Sequence, residues 1–310
     1  MKISKPKFWD QKIGLYSLIL YPFAILIILI IFFKKKLTKS KKFNIPVICI
    51  GNIYLGGTGK TPTTILIANE LFKIGKKPSI IRKYYSDHED EYELIKKYYN
   101  NLLVNIKRSE AILEAENKSY DSVILDDGFQ DYKIKKNLNI ICFSQNQLVG
   151  NGMVIPSGPL RESLDVLKDV QVVIINGGKS REFEDKMLQY NKNLNIFYSK
   201  YYPINSGEFK GKKLLAVAGI ANPENFFDLL LNEGHNIEKK MIFPDHYQFK
   251  KSEILNIIEI AKEKNLQIIM TEKDYFKIKK FDCSEIGYLK IEIKIENCEK
   301  LIKLISSIYD

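Results

Sequence analysis

Residues 51–62 read GNIYLGGTGKTP and follow directly on IPVICI, an apolar run with the length and β-branched content of a buried strand. A strand, a glycine-rich turn, Lys60-Thr61 and then the helical stretch Thr63–Ile74 form the order of a phosphate-binding loop. No other part of the chain constrains the fold as much. The strand must belong to a parallel sheet, with the turn at its carboxyl end, where open α/β sheets bind ligands. Glycine is costly in backbone entropy. Gly56, Gly57 and Gly59 offset that cost by letting backbone N–H groups approach phosphate oxygens with no Cβ between them. Lys60 is placed to reach the β- and γ-phosphates of ATP and the Thr61 hydroxyl to ligate Mg²⁺, while the helix turns its positive end toward the anion. Pro62 fits the first helical turn, which has no donor to lose. The strict form has glycine six residues before the lysine, where this chain has Tyr54.

The rest of the chain repeats the alternation. Apolar β-rich runs are predicted at 46–52, 78–82, 102–106, 122–127, 138–143, 170–176, 214–219, 266–271 and 288–295. Helices are expected over Thr63–Ile74, Glu91–Tyr99, Ser109–Asn117, Pro223–Asn232 and Ser252–Lys264. Strands that are apolar throughout, alternating with helices, call for a parallel sheet covered on both faces. The polar segment 195–213, with its Gly and Pro, looks like a junction between two α/β units. The expected fold class is therefore α/β: a P-loop-containing parallel-sheet domain over 43–200, a second, smaller α/β domain over 201–310, and an N-terminal anchor with a basic linker over 1–42.

The anchor stands apart from the globular pattern. Ile13–Phe33 carries no charge over ~21 residues, enough for a helix to cross a hydrocarbon core of about 30 Å. Lys34, Lys35, Lys36, Lys39, Lys41 and Lys42 follow, which marks the cytoplasmic side and suits anionic lipid headgroups. The first twelve residues are basic too, so a helix lying in the interface stays open beside a spanning one. Either way the expectation is attachment to the inner (cytoplasmic) membrane, with the catalytic part on the cytoplasmic face. A net charge of +11 points to an anionic partner. The lysine run beside the apolar segment accounts for much of it, and the chain shows no nucleic-acid-binding motif, so no nucleic acid is expected. Four scattered cysteines support neither a disulfide framework nor a zinc site.

A P-loop needs a carboxylate at the end of a neighbouring strand to hold Mg²⁺ or its waters. Val123-Ile124-Leu125 supplies such a strand and Asp126-Asp127 its carboxyl end.

Taken in order, these segments resemble the tetraacyldisaccharide 4'-kinase family, the lipid A 4'-kinases, over nearly the whole chain. The blocks that carry the resemblance are FWDQK, VICIGNIYLGGTGKTP, LDDGFQ (125–130), IPSGPLRE (155–162), VAGIANPENFF (217–227), FPDH (243–246) and MTEKD (270–274). The resemblance implies transfer of the ATP γ-phosphate, with Mg²⁺, to the 4'-hydroxyl of a tetraacylated glucosamine disaccharide 1-phosphate. It implies that Tyr54, Leu55, Gly56, Gly57, Thr58, Gly59, Lys60 and Thr61 form the ATP loop. Lys60, Asp126 and Asp127 would act in catalysis, Thr61, Asp127 and Glu162 at the metal, and Arg161 and Arg82 as contacts to substrate phosphate. The family's proton-accepting aspartate maps to Asp90, with Asp87 as the alternative, and its supporting histidine to His246. This chain departs from the family around 81–92, where Lys83, Tyr85, Glu89 and Tyr92 replace expected Gly and Pro residues, and at Asp131, where the family has His. Acyl-chain preference and oligomeric state are not encoded in any motif.

A second class is a membrane-tethered P-loop ATPase acting as a nucleotide switch. Chromosome-partitioning ATPases of that kind carry an extra lysine five positions before the loop lysine; here that position is Leu55.

Overall fold

The computed structural model describes residues 6–86, 88–245, 247–281 and 283–309. In chain order the elements are α1 (Leu15–Leu37), β1 (Val47–Gly51), α2 (Lys60–Lys73), β2 (Pro78–Lys83), α3 (Glu89–Tyr98), β3 (Leu102–Asn105) and α4 (Arg108–Asn117). Then follow β4 (Ser122–Asp126), β5 (Leu138–Ser144), β6 (Val172–Asn176), α5 (Arg181–Tyr190) and β7 (Asn195–Pro203). The last third contains β8 (Lys213–Ala218), α6 (Pro223–Asn232), β9 (Asn236–Ile242), α7 (Lys251–Glu263) and β10 (Gln267–Thr271). It ends with α8 (Glu272–Ile278), β11 (Ile286–Leu289), β12 (Ile291–Ile295) and α9 (Cys298–Ser306).

The chain forms two compact units. The larger holds Ile3–Tyr84, Asn101–Lys200 and Ile293–Asp310, and the smaller holds Tyr85–Asn100 and Tyr201–Glu292. A contiguous division at 200/201 differs from these units at both excursions, 85–100 and 293–310. No composition signal marks those crossings, because α3 and α9 are ordinary amphipathic helices.

In the larger unit an eight-stranded sheet runs in the order β12-β7-β6-β5-β1-β4-β2-β3. β1 lies between β4 and β5, parallel to both, with Val47 beside Val123 and Ile50 beside both Asp126 and Ile140. Every residue of β1 and of β4 is buried. Strands covered on both faces have no polar side to show, which is why they read as continuous apolar runs. Sequence-adjacent strands diverge to either side of β1, so its carboxyl end is a topological switch point.

The smaller unit has a four-stranded sheet, β11-β10-β8-β9, whose neighbours are all parallel. Two apolar clusters cover it, one around Leu215, Ile257 and Met270 and one around Ala216, Phe227 and Ile269. The expected single strand at 288–295 is two strands, β11 and β12, in different sheets. Strand β7 falls where the sequence suggested only a junction, and β9 lies in a segment with no apolar run. Alternation explains β9: Asn236–Ile242 is exposed at every second residue and half-buried at the others, an edge-strand pattern.

Helix α1 is the one described helix long and apolar enough to cross a membrane. Its contact stripe is narrow. Ser17 and Ala24 are buried and Leu20, Ile27, Ile28 and Ile31 half-buried, while most of its other apolar side chains are exposed. That spacing is one helical face running the length of the element. Polar bonds tie both of its ends to the larger unit: Asn151 Nδ2 donates to Ser17 Oγ (3.0 Å), and Lys35 Nζ bonds Asp169 (2.5 Å).

Candidate functional site

The turn after β1 is built by two glycines in conformations that side chains rarely adopt. Gly56 has φ +149° and Gly59, which caps α2, has φ +86°. Gly59 thereby delivers Lys60 as the first residue of α2, whose opening N–H groups have no intrahelical carbonyl to bond. Tyr54 occupies the place where the strict motif has glycine, and it is fully buried. Its phenol donates to Asp10 Oδ1 at 2.7 Å and its ring lies under Gly56. Tyr54 therefore braces the turn from beneath. Asn52 donates to the Gly56 carbonyl at 3.0 Å. Two buried oxygens here, Asn52 Oδ1 and Thr58 Oγ1, have no hydrogen-bond partner among the described residues. A buried polar atom without a partner costs about 1–3 kcal/mol. A bound phosphate would recover it for the Thr58 hydroxyl, which can donate; the Asn52 oxygen can only accept.

The register of β1 against β4 sets the two aspartates beside this turn. Asp126 ends β4 and is fully buried. It accepts from Thr61 Oγ1 (3.0 Å) and Thr64 Oγ1 (3.4 Å) and is ion-paired to Arg82 of β2, which also donates to Thr61 Oγ1 at 3.3 Å. Asp127 follows in the left-handed region, φ +56°, with its N–H bonded to the Ile50 carbonyl at 2.9 Å. Its carboxylate lies 3.8 Å from Lys60 Nζ and 3.4 Å from Arg161, and its carbonyl accepts from Arg108 at 2.7 Å. Burial opposes the charged form of Asp127, but Lys60, Arg161, Arg82 and Arg108 outweigh it and hold the carboxyl below its ordinary value. For Lys60 burial dominates, and with help from Arg161 it lowers the ammonium's pKa against the pull of Asp127.

Glu162 is buried, with one oxygen accepting from Gln130 (3.0 Å) and the other from Tyr132 (2.6 Å). Thus Lys60, Thr61, Asp126, Asp127, Arg82 and Arg161 form one contiguous set, with Glu162 tied to it through Gln130, which also approaches Arg161 (3.5 Å). Arg82 faces the Asp126 side of the set and Arg161 the Asp127 side. The sequence did not single out Arg108, Gln130, Tyr132 or Thr64. Gln130 lies within the quoted LDDGFQ block, which was its only signal.

The smaller unit carries the second group. Asp90, in the first turn of α3, is buried, 4.0 Å from Lys273 Nζ and 3.9 Å from Lys277 Nζ. Burial raises its pKa against the lowering fields of Lys273, Lys277 and His88. His246 and Asp87 lie outside the described residues.

The described residues contain no group of three or more His, Cys, Asp or Glu able to hold a metal by themselves. The Thr61 hydroxyl and the carboxylates of Asp127 and Glu162 are nonetheless hard oxygen donors. Mg²⁺ in phosphoryl-transfer sites uses one or two carboxylates plus substrate phosphates, so this donor set fits it.

Residues 16–309 match the family model described as tetraacyldisaccharide-1-P 4'-kinase. A protein named tetraacyldisaccharide 4'-kinase from Pelagibacter ubique is 40% identical over 98% of this chain and 99% of its own length. One of the same name from Shewanella halifaxensis is 34% identical, covering 86% of this chain and 84% of itself. Among solved structures, LpxK from Aquifex aeolicus in complex with ATP superposes with a TM-score of 0.72 at 26% identity, covering 95% of this chain and 99% of that one.

Proposed function

The chain belongs to the tetraacyldisaccharide-1-P 4'-kinase family, and from that premise we propose how its residues carry the family's reaction. It is an ATP-dependent phosphotransferase of lipid A biosynthesis, moving the γ-phosphate to the 4'-hydroxyl of a tetraacylated glucosamine disaccharide 1-phosphate. The observation that carries the assignment of roles is the convergence of Lys60, Arg161 and Asp127 beside a glycine turn whose buried Thr58 hydroxyl lacks a partner.

Tyr54–Thr61 cradle the ATP phosphates, with the N–H groups at the start of α2 as donors and Lys60 as the counter-charge. Mg²⁺ would be held by Thr61 and Asp127, with Glu162 beside them, and would neutralise charge on the phosphates. Arg161 and Arg82 are proposed as further phosphate contacts, Arg82 also anchoring Asp126. Asp90 is proposed as the acceptor of the sugar hydroxyl's proton, with His246 in support. Burial favours that role, because a carboxylate with a raised pKa is a better base near neutrality. The test is incubation of the full chain with labelled ATP, Mg²⁺ and the 1-phosphorylated lipid disaccharide, then chromatography of the lipid. Label on the lipid is the expected result. ATP hydrolysis with an unlabelled lipid would remove the kinase assignment.

The acceptor is a lipid, so the enzyme must work at a membrane. We assign attachment to α1 and its lysines, on the cytoplasmic face and against anionic headgroups. The contact stripe from Ser17 to Lys35 runs lengthwise along the larger unit, which favours a helix lying in the interface over one crossing the bilayer. Removing residues 1–33 is expected to abolish sedimentation with phosphatidylglycerol-containing vesicles. Continued sedimentation would mean that another surface attaches the protein.

A further inference from the structure

The assigned reaction leaves unexplained a second lysine buried beside Asp90. Lys277, on the last turn of α8, is 1% exposed at its side chain, as is Asp90, and Asp274 is 0% exposed. Lys277 Nζ donates to Asp274 Oδ1 (2.7 Å) and to the Gly219 carbonyl (3.0 Å), just past β8. Asp274 is fixed in turn: its Oδ2 accepts from the Gly219 N–H (2.7 Å) and from the hydroxyl of Thr271 (2.7 Å), the residue that caps α8. The ammonium is thus bound on two sides to rigid backbone and a rigid carboxylate. Its remaining side is turned toward Asp90 Oδ2 at 3.9 Å.

For folding alone, the Lys277–Asp274 pair already balances its own charge. Burying a further carboxylate against it adds desolvation cost with no matching hydrogen bond between Lys277 and Asp90. Lys273 is a weaker candidate for holding Asp90. It is 18% exposed, bonds Glu91 at 2.9 Å, and lies 3.6 Å from Asp245. The charged groups around Asp90 among the described residues are Lys273, Lys277 and Asp274 of α8, Glu91 of α3, His88 before it, and Asp245 before α7.

We propose that Lys277 is a positioning residue for phosphoryl transfer: anchored by Asp274 and Gly219, its ammonium is the fixed charge that keeps the Asp90 carboxylate in place and able to accept the sugar hydroxyl's proton. The inference rests on the assignment of Asp90 as proton acceptor. The short block Thr271-Glu272-Lys273-Asp274 followed by Lys277 is then a preformed mount for one charge.

The sign of the effect follows from Coulomb's law. A cation near a carboxylate favours its ionised form, so removing the cation raises the pKa and moves the acidic limb of the rate profile to higher pH. The experiment measures kcat/KM for the lipid acceptor against pH, using the full chain in detergent micelles. Lys277→Met should shift the acidic limb upward by about one pH unit or more, recovering rate at high pH, with KM for ATP unchanged. Lys277→Arg should keep the limb near its original position. An equal loss at every pH, or Lys277→Arg behaving like Lys277→Met, overturns the proposal. Should Lys277→Met fail to accumulate folded, the double variant Asp274→Asn with Lys277→Gln removes both charges while keeping polar partners. Its limb should also move upward, but by less than loss of the cation alone would give, because losing the Asp274 anion offsets part of the lost Lys277 charge; an unmoved limb again overturns the idea. Asp90→Asn separates the premise: it should abolish the acidic limb and most of the rate. If it does neither, the proton-acceptor assignment fails whatever Lys277 does.

Discussion

Lys60→Met should lower kcat by about a thousandfold or more and leave the fold intact. In phosphoryl transfer the protein acts through positioning and charge neutralisation, and single cations aimed at the transferring group are worth about 10³ or more. Lys60 is proposed as such a cation. It opens α2 directly after the left-handed Gly59, is only 13% exposed, and has its sole described ion-pair partner, Asp127, 3.8 Å away. A lysine buried this far against so loose a partner is held in a partly unfavourable state, consistent with its lowered pKa. Removing the charge should therefore cost the protein little stability, since the longest part of the side chain is replaced by methionine of similar length. The checks are steady-state kinetics with ATP, far-ultraviolet circular dichroism and the melting temperature. Full activity in this variant would falsify the loop assignment; loss of activity together with loss of the fold would instead place Lys60 among structural residues.

How much of this was legible in the sequence differs between the two groups of residues. The glycine turn could be located because its signal is local: glycine, lysine and threonine lie within a few residues of each other and between a strand and a helix. Asp126 and Asp127 could be found because a buried parallel strand declares itself as an apolar run and its end as the first charge. Tyr54 is a different case. Its replacement of glycine looked like a departure, and only the structure shows the phenol bonded to Asp10, a residue 44 positions away, with the ring supporting Gly56. Arg108 was invisible for a similar reason, since its bond to the Asp127 carbonyl depends on how α4 packs, which no spacing encodes. The group around Asp90 was less legible still. Its lysines come from α8, more than 180 residues further along the chain, and a charged helix face ordinarily reads as a solvated one. Strand β9 was missed because this edge strand mixes Asn236, Glu238, Lys239 and Lys240 with its apolar residues and has no apolar run.

The adjacent aspartates should separate into one that holds the fold and one that serves the reaction. Asp126 is fully buried, and Arg82, Thr61 and Thr64 all converge on it. Asp126→Ala leaves the guanidinium of Arg82 buried without its counter-charge, and breaking a buried pair from one side costs about 3–5 kcal/mol. A large fall in melting temperature is the expected result. Asp127 is 28% exposed at its side chain and surrounded by cations at 3.4 and 3.8 Å, an excess of positive charge that a phosphate would relieve. Its φ of +56° makes asparagine the right probe, because asparagine tolerates that backbone region where alanine would add strain. Asp127→Asn should keep the melting temperature within a few degrees, lower kcat by about 10²–10³, and weaken the response of the rate to added Mg²⁺. Unchanged kinetics in Asp127→Asn, or an unchanged melting temperature in Asp126→Ala, would reverse the division of labour. The reason to expect the division is geometric: one strand end offers a carboxylate inside the sheet and, one residue later, a carboxylate outside it. Only the outer one can meet a ligand without first giving up a partner that the fold requires.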